Sequence, residues 1–448
     1  MPQLFGTDGL RARAGEFPLD EKSVIMLGRA LARLLIRRQL PPRIVTGRDT
    51  RESGIWLEEC LIAGFLDGGG LAVSAGVITT PGISYLVRTH DFSAGVVISA
   101  SHNPYLDNGI KIFSHLGTKI PEDWEDELEG ELIPGLLPAG PVRRCRPEVI
   151  QDLKQNYLDF LRQACPTRPR RKMKLVVDCA NGASSELAPA LFGSLGFELV
   201  AINSLPNGRN INNGCGSLHP EQLAEKVVTE RADLGVAFDG DADRAVWVDE
   251  RGRILNGDHT LFVQALHLKE KNTLKKNTVV ATIMSNMGLE KILEENGIKL
   301  LRTRVGDKYV LDEMLKGGYN LGGEQSGHTI FLDQSIAGDG LLTSLKMLEV
   351  MLEKEKSLAE LVKDFREYPQ VLLNVRVRQK VPLAEIPGYE KTAAEVRERL
   401  GNNGRLEVRY SGTEMLARVM IEGPDQSQIE ELAGRLARVI DSHCGAGK

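Results

Sequence analysis

The chain has 448 residues, 42% of them apolar, enough to build two to four separately packed domains. Its 56 basic and 61 acidic residues leave a net charge of −5, which speaks against a dedicated nucleic-acid or membrane-surface binder but allows a local basic pocket for a small anion. Cys60, Cys145, Cys165, Cys179, Cys215 and Cys444 show no CxxC or zinc-type spacing, no basic-then-apolar leader opens the sequence, and no window approaches the roughly 18 apolar residues of a membrane span, so a cytoplasmic chain is expected, with neither disulfides nor a membrane anchor.

Residues 5–11 (FGTDGLR) set a Thr-Asp pair between glycines with Arg11 behind it, a turn suited to pointing a cation and hydroxyls into a shared cleft. Helical periodicity runs over 21–38, with Val24, Leu27, Leu31, Leu34 and Leu35 on one face, and Pro41 and Pro42 end it. One pattern then recurs three times. Short apolar strands at 43–46, 174–178 and 278–282 each lead through a polar loop into an amphipathic helix, at 56–66, 185–195 and 289–295. Each helix closes at glycine (68–70, Gly196, Gly297) and a second strand follows, at 71–74, 198–202 and 299–301. Strand, helix and strand at this spacing form a βαβ unit, and three copies predict three α/β domains of related topology.

Residues 94–113 read AGVVISASHNPYLDNGIKIF. The apolar run 94–98 predicts a buried strand that Pro104 stops, so the turn delivers Ser101 to a sheet edge, where open α/β sheets bind ligands and where a nucleophile or phosphate carrier is useful. A Pro- and Gly-rich segment at 132–146 and a helix over 148–165 ending at Pro166 predict a domain boundary within 140–170. A second is expected near 250–257, ahead of a helix opened by Asp258. After a helix over 340–352, a last piece begins at Tyr368-Pro369, with strands at 371–378, 405–409 and 416–421 and helices at 390–400 and 428–443. That order predicts an α+β layer on an antiparallel sheet. The expected division is 1–150, 151–252, 253–367 and 368–448.

Three further loops carry chemistry. Residues 238–244 (FDGDADR) follow an apolar strand and bring Asp239, Asp241 and Asp243 so close that they repel unless a cation sits among them; hard oxygen ligands select Mg²⁺ or Ca²⁺. Residues 322–328 (GGEQSGH) offer Glu324 and Ser326 to sugar hydroxyls, with His328 to give or take a proton. Residues 409–418 (RYSGTEMLAR) join Arg409, Ser411, Gly412, Thr413 and Arg418 into the donors a phosphate nest requires. With the Ser101 turn, they describe one site: a hydroxyl, a hard cation, a polyol-binding loop and a distant phosphate grip.

On these segments, together with RTRVGDKYV at 302–310, the chain resembles the α-D-phosphohexomutase family over nearly its whole length and in the family's order. Gln325 and the YLDN of 105–108 look like the glucosamine branch. The resemblance implies three related α/β domains and a smaller fourth around a central cleft. It implies interconversion of glucosamine 6-phosphate and glucosamine 1-phosphate on the route to UDP-N-acetylglucosamine and bacterial cell wall; the alternative is a phosphomannomutase or phosphoglucomutase with the same machinery. Ser101 would be the phosphorylated serine, and Asp239, Asp241 and Asp243 would hold Mg²⁺ together with its phosphate. Glu324 and Ser326 would bind the sugar, Arg409, Ser411, Gly412, Thr413 and Arg418 the phosphate not being transferred, and Arg11, His102, Lys111 and His328 would manage charge and protons. The implied partner is a small phosphosugar, with no nucleic acid and no membrane; the oligomeric state is open, a homodimer included. The family's usual Gly after GTDGxR is Ala12 here, and its prolines flanking SGTE are Tyr410 and Met415, which leaves the phosphate loop less stiff.

Overall fold

The computed structural model describes residues 4–6, 8–132, 144–164, 172–411 and 415–446. They form two bodies: residues up to Thr282 together with Leu301–Lys363, and Ile283–Leu300 together with the chain from Asp364 onward.

Three sheets organise the first body. In the first, Arg43–Arg48 lies between two parallel neighbours, Leu71–Val77 and Ala94–Ile98, and Asp107–Ser114 returns antiparallel to Ala94–Ile98. In the second, Lys174–Asp178 lies between parallel Glu198–Ile202 and Leu234–Phe238, and Ala245–Asp249 returns antiparallel, with Ile254–Leu255 at the edge. In the third, Thr278–Thr282 runs parallel to Leu321–Gly323, which turns back into antiparallel Thr329–Phe331. The predicted kinship of the three units is therefore real, and it locates the chemistry. Each motif loop (99–106, 239–244, 324–328) joins a parallel strand to the antiparallel strand that follows it, so all three occupy one topological position.

The predicted helices form close to their expected bounds, although the first βαβ helix starts a turn earlier, at Glu52, and Asn256 rather than Asp258 opens Gly257–Glu270 by accepting the Asp258 N–H. Asp20 accepts the Ser23 N–H to start Glu21–Arg37, and Val24, Leu27, Leu31, Leu34 and Leu35 are all buried, each worth about 1.5–3 kcal/mol of transfer free energy as an upper bound. Gly196 and Gly297, at φ +90° and +63°, follow the second and third βαβ helices, conformations that glycine adopts without strain. The helix expected at 148–165 is Gln151–Ala164; Cys165 and Pro166 lie outside the described residues.

Two readings need correction. FGTDGLR is more than a turn: Phe5–Gly6 and Gly9–Arg13 pair as a hairpin, and Gly9–Arg13 adds to the first sheet beside Asp107–Ser114. Residues 80–89, with no predicted element, form the helix Thr80–Thr89, because Thr79 caps the Gly82 N–H and Pro81 sits in the first turn, where it sacrifices no hydrogen bond.

The second body is the predicted α+β layer. Leu416–Glu422 pairs antiparallel with both Gln370–Arg376 and Arg405–Tyr410, and helices Tyr389–Leu400 and Gln426–Cys444 close a core of Val396, Val419, Ile421, Ile429, Leu432 and Leu436. The helix Met287–Glu295 belongs to this body. Asn286 caps it and donates through Nδ2 to Tyr368 O and to the buried Glu422. Among the described residues the five cysteines are unpaired, and no helix is long and apolar enough to cross a membrane.

Candidate active site

The fully buried strand Ala94–Ile98 ends in the serine turn. Ser99 Oγ donates to Asp49 Oδ2 and accepts the Ser101 N–H at 2.9 Å. Ser101 is buried, its backbone is left-handed at φ +50°, and its Oγ donates to Asp239 Oδ2 at 2.5 Å. His102 Nδ1 lies 3.4 Å from the same Oγ. Burial, then the charges of Arg244 and Arg11, push the His102 imidazole down to about 4. Arg11 donates to Ala100 O at 3.0 Å and pairs with Asp8.

Asp239, Asp241 and Asp243 are buried, and each brings a carboxylate oxygen within 4.8 Å of the others. Desolvation, then repulsion from Asp243 and Asp241, raises the Asp239 carboxyl well above its ordinary range. Burial also works against the charge of Asp243, but Lys111, His328 and Arg244 outweigh it and hold that carboxyl low. Lys111 Nζ stands 2.9 Å from both Asp241 Oδ2 and Asp8 Oδ2, and Thr80 Oγ1 donates to Asp241 Oδ2. The Oδ1 atoms of Asp241 and Asp243 are nonetheless buried with no hydrogen-bond partner, a costly state that a hard cation relieves. This triad could hold a metal ion.

The third loop docks on the second. Ala245 N–H donates to Gly327 O at 3.1 Å, Arg244 and His328 form an antiparallel bridge, and His328 Nδ1 lies 3.6 Å from Asp243 Oδ2. Burial disfavours the His328 charge, but the Asp243 carboxylate prevails and pushes the imidazole up to about 9. Glu324 Oε1 accepts the Gly306 N–H at 3.1 Å, and Ser326 is exposed. Ser101, Arg11, His102, Lys111, the three aspartates and His328 thus come together from three sheets.

Sequence reasoning overlooked Asp8, Thr80, Lys119, Arg244 and Asp307. Lys119 Nζ bridges Asp8 at 2.8 Å and Asp307 at 2.7 Å. Asp8, Arg244 and Asp307 lie inside the quoted motifs; Thr80 and Lys119 carry no local signal. Two cavities border the site. One of about 510 Å³ is lined by Lys119, Asp307 and His328 among others, and one of about 620 Å³ by His102, Asn103, Tyr105, Arg209, Asn212 and His219 among others. Each is large enough for a phosphorylated hexose.

In the second body, Arg409 and Arg418 are register partners on neighbouring antiparallel strands, so their side chains share a face, and burial together with Arg418 lowers the Arg409 guanidinium from its ordinary value. Like charges so placed favour an anion between them. Ser411 is buried two residues on from Arg409, and Tyr410 is tied by its hydroxyl to Val381 O at 2.5 Å. Gly412 and Thr413 lie outside the described residues.

Comparison with known proteins finds relatives along the whole chain. Profiles of the phosphoglucomutase/phosphomannomutase α/β/α domains I, II and III match residues 2–133, 155–252 and 256–368, and the C-terminal domain profile matches 372–439. Two relatives named phosphoglucosamine mutase align along the whole chain. That of Koribacter versatilis is 46% identical over 451 residues (99% of this chain, 97% of the relative), and that of Solibacter usitatus 48% over 444 residues (99% of each). The chain belongs to the phosphoglucosamine mutase family. Among solved structures, a phosphoglucomutase/phosphomannomutase family protein from Burkholderia thailandensis superposes with a TM-score of 0.83 at 23% identity, covering 98% of this chain and 97% of that one. An Aspergillus fumigatus N-acetylphosphoglucosamine mutase, solved with GlcNAc-6P and magnesium, gives 0.68 at 18% identity, covering 98% and 96%. At such identities these structures speak to the fold: four domains of the phosphohexomutase type.

Proposed function

We propose that this chain interconverts glucosamine 6-phosphate and glucosamine 1-phosphate through a phosphoserine at Ser101 and a bisphosphorylated sugar. Full-length similarity to phosphoglucosamine mutases supports the reaction. The observation that carries the residue assignment is the Ser101 hydroxyl seated on Asp239, beside two buried carboxylates with unpartnered oxygens. A serine phosphate added to that cluster would be strongly repelled without a cation.

The donor set fits Mg²⁺, which Asp239, Asp241 and Asp243 would hold together with an oxygen of the Ser101 phosphate. Bound there, Mg²⁺ supplies positive charge to the transferring phosphoryl group. Glu324 and Ser326 orient the sugar hydroxyls. The attacking hydroxyl oxygen forms its bond to phosphorus as the Ser101 Oγ–P bond breaks, and the electron pair stays on Oγ. The hydroxyl proton is released to a neighbouring group, for which His102 is placed, while Arg11, Lys111 and His328 surround the transfer with positive charge. Arg409, Ser411, Gly412, Thr413 and Arg418 grip the phosphate at the other end. The bisphosphate then turns end for end and returns that second phosphate to Ser101.

The chemistry divides over domains at 1–150, 151–252, 253–367 and 368–448, and we assign it to the cytoplasm, in keeping with the free cysteines. Rates on glucosamine 6-phosphate, glucose 1-phosphate and mannose 1-phosphate test the substrate assignment. The amino sugar should turn over at least about tenfold faster in kcat/KM, a gap of about 1.4 kcal/mol. Preference for either neutral sugar, or inorganic phosphate rising with turnover, would contradict it.

A further inference from the structure

Ser101 adopts a left-handed backbone that residues with a side chain rarely take, so its neighbours must enforce it. Two donors grip the turn at the same pair of carbonyl oxygens. Arg51 Nη2 donates to Ser101 O at 3.1 Å and to Asn103 O at 2.6 Å, and Asn212 Nδ2 donates to the same atoms at 2.8 and 3.0 Å. Because both acceptors are carbonyl oxygens, only the amide nitrogen of Asn212 can face them, which fixes how that side chain is turned.

The two donors differ in origin. Arg51 is fully buried and belongs to the domain that carries Ser101, where Asp49 accepts its N–H at 2.9 Å and pairs with its guanidinium. Asn212 comes from the second α/β domain, in the loop between Glu198–Ile202 and Glu221–Glu230, where its own N–H donates to Ala180 O at 2.9 Å. Asp239 belongs to that domain too. Gly240, next to Asp239, comes so near that a Cβ there would stand 2.5 Å from Ser101 O and 2.9 Å from Asn212 Nδ2. The serine turn of one domain is thus held to the second domain through its backbone by the Asn212 amide, in addition to the Ser101 Oγ–Asp239 bond.

We infer that Asn212 is a positioning residue for phosphoryl transfer: its amide holds the Ser101 turn against the second domain, so that Oγ keeps its place beside Asp239 while the ester forms and breaks. The inference rests on the reading of Ser101 as phosphoryl carrier. Asn212 borders the cavity of about 620 Å³, but its amide nitrogen is committed to the two carbonyls of the serine turn, so its loss should fall more on kcat than on KM. Misplacing a reacting atom by about 1 Å costs on the order of a hundredfold.

The test uses the full-length enzyme with glucosamine 6-phosphate and Mg²⁺, in the variants Asn212→Ala, Asn212→Ser and Asn212→Asp, the last presenting a carboxylate oxygen to two carbonyls. Asn212→Ala should lower kcat by about 10- to 100-fold with KM within about threefold. Asn212→Asp should be lower still, and Asn212→Ser, which keeps a donor, should fall in between. The ³¹P resonance of the phosphoserine should shift or broaden in the alanine variant, a change that loss of stability alone would not produce. Asn212 is half-buried in a loop, and the serine variant carries the test should alanine fail to fold. A kcat within twofold of wild type in both, or a loss confined to KM, overturns the inference. If Ser101→Ala itself turned over normally, the carrier reading would fail instead, and with it the reason to look at Asn212.

Discussion

Ser101 Oγ donates a 2.5 Å hydrogen bond to Asp239 Oδ2, across 138 residues of sequence and between two separate sheets. A hydroxyl held against a carboxylate, beside two more carboxylates that each keep one buried oxygen without a hydrogen bond, is set apart from an ordinary buried serine, which settles on a backbone carbonyl. If that oxygen carries the phosphoryl group, Ser101→Ala should lower kcat at least about a thousandfold. The variant should still be stabilised by Mg²⁺, since three of the four proposed ligands survive, and a thermal melt with and without Mg²⁺ checks that separation.

The unpartnered oxygens of Asp241 and Asp243 predict a strong linkage between cation and stability. A hundredfold excess of Mg²⁺ over its Kd should stabilise the wild type by about 2.7 kcal/mol. Asp241→Asn should lose most of that increment, whatever its stability without Mg²⁺, where relief of the repelling trio is offset by loss of the charge that pairs with buried Lys111. A Mg²⁺ shift unchanged in Asp241→Asn would remove the triad from consideration as the metal site.

Gly240 lies where no side chain fits. Gly240→Ala should cost about 1–3 kcal/mol by overpacking and should lower kcat, since the added methyl is directed at the Ser101 carbonyl. Urea unfolding alongside steady-state kinetics measures both, and an alanine variant of normal stability and rate would show that the two loops do not meet as described.

Asp339 supplies a pH test at a buried acid raised chiefly by desolvation, with Asp243 of the triad adding a smaller push. It caps Gly340–Lys354 through the Leu342 N–H and accepts from Tyr157 OH at 2.9 Å, and burial pushes its carboxyl up to about 6. Since the folded state raises this acid above its unfolded value, its contribution is fully present below about pH 4 and is lost as pH rises through about 6; the loss approaches 3 kcal/mol. Asp339→Asn keeps the capping oxygen and has no charge to bury, so its stability should gain on the wild type between pH 4 and 6. Parallel pH–stability curves would contradict the assignment.

Much of this was legible because local and tertiary requirements coincide. The apolar run before Ser101 and the one before Asp239 had to be buried strands, and the residues that end them had to be the loops. Close packing was legible only as composition: three aspartates in five residues announce a cation, but nothing local says that Ser101 will lie on the first of them. Thr80–Thr89 carries no predicted element, since its start depends on Thr79 accepting the Gly82 N–H, a contact only the structure shows. Thr80 itself, Lys119, Arg51 and Asn212 act through tertiary contacts with segments tens to hundreds of residues away, and no periodicity records such a contact.

The most direct measurement follows the phosphoryl group itself. Enzyme stripped of phosphate is incubated with a radiolabelled hexosamine 1,6-bisphosphate, digested, and mapped by peptide. The account predicts a single labelled peptide containing Ser101, chased off by unlabelled glucosamine 6-phosphate no more slowly than turnover. Label on any other residue, or full turnover by an enzyme that never acquires label, would contradict it.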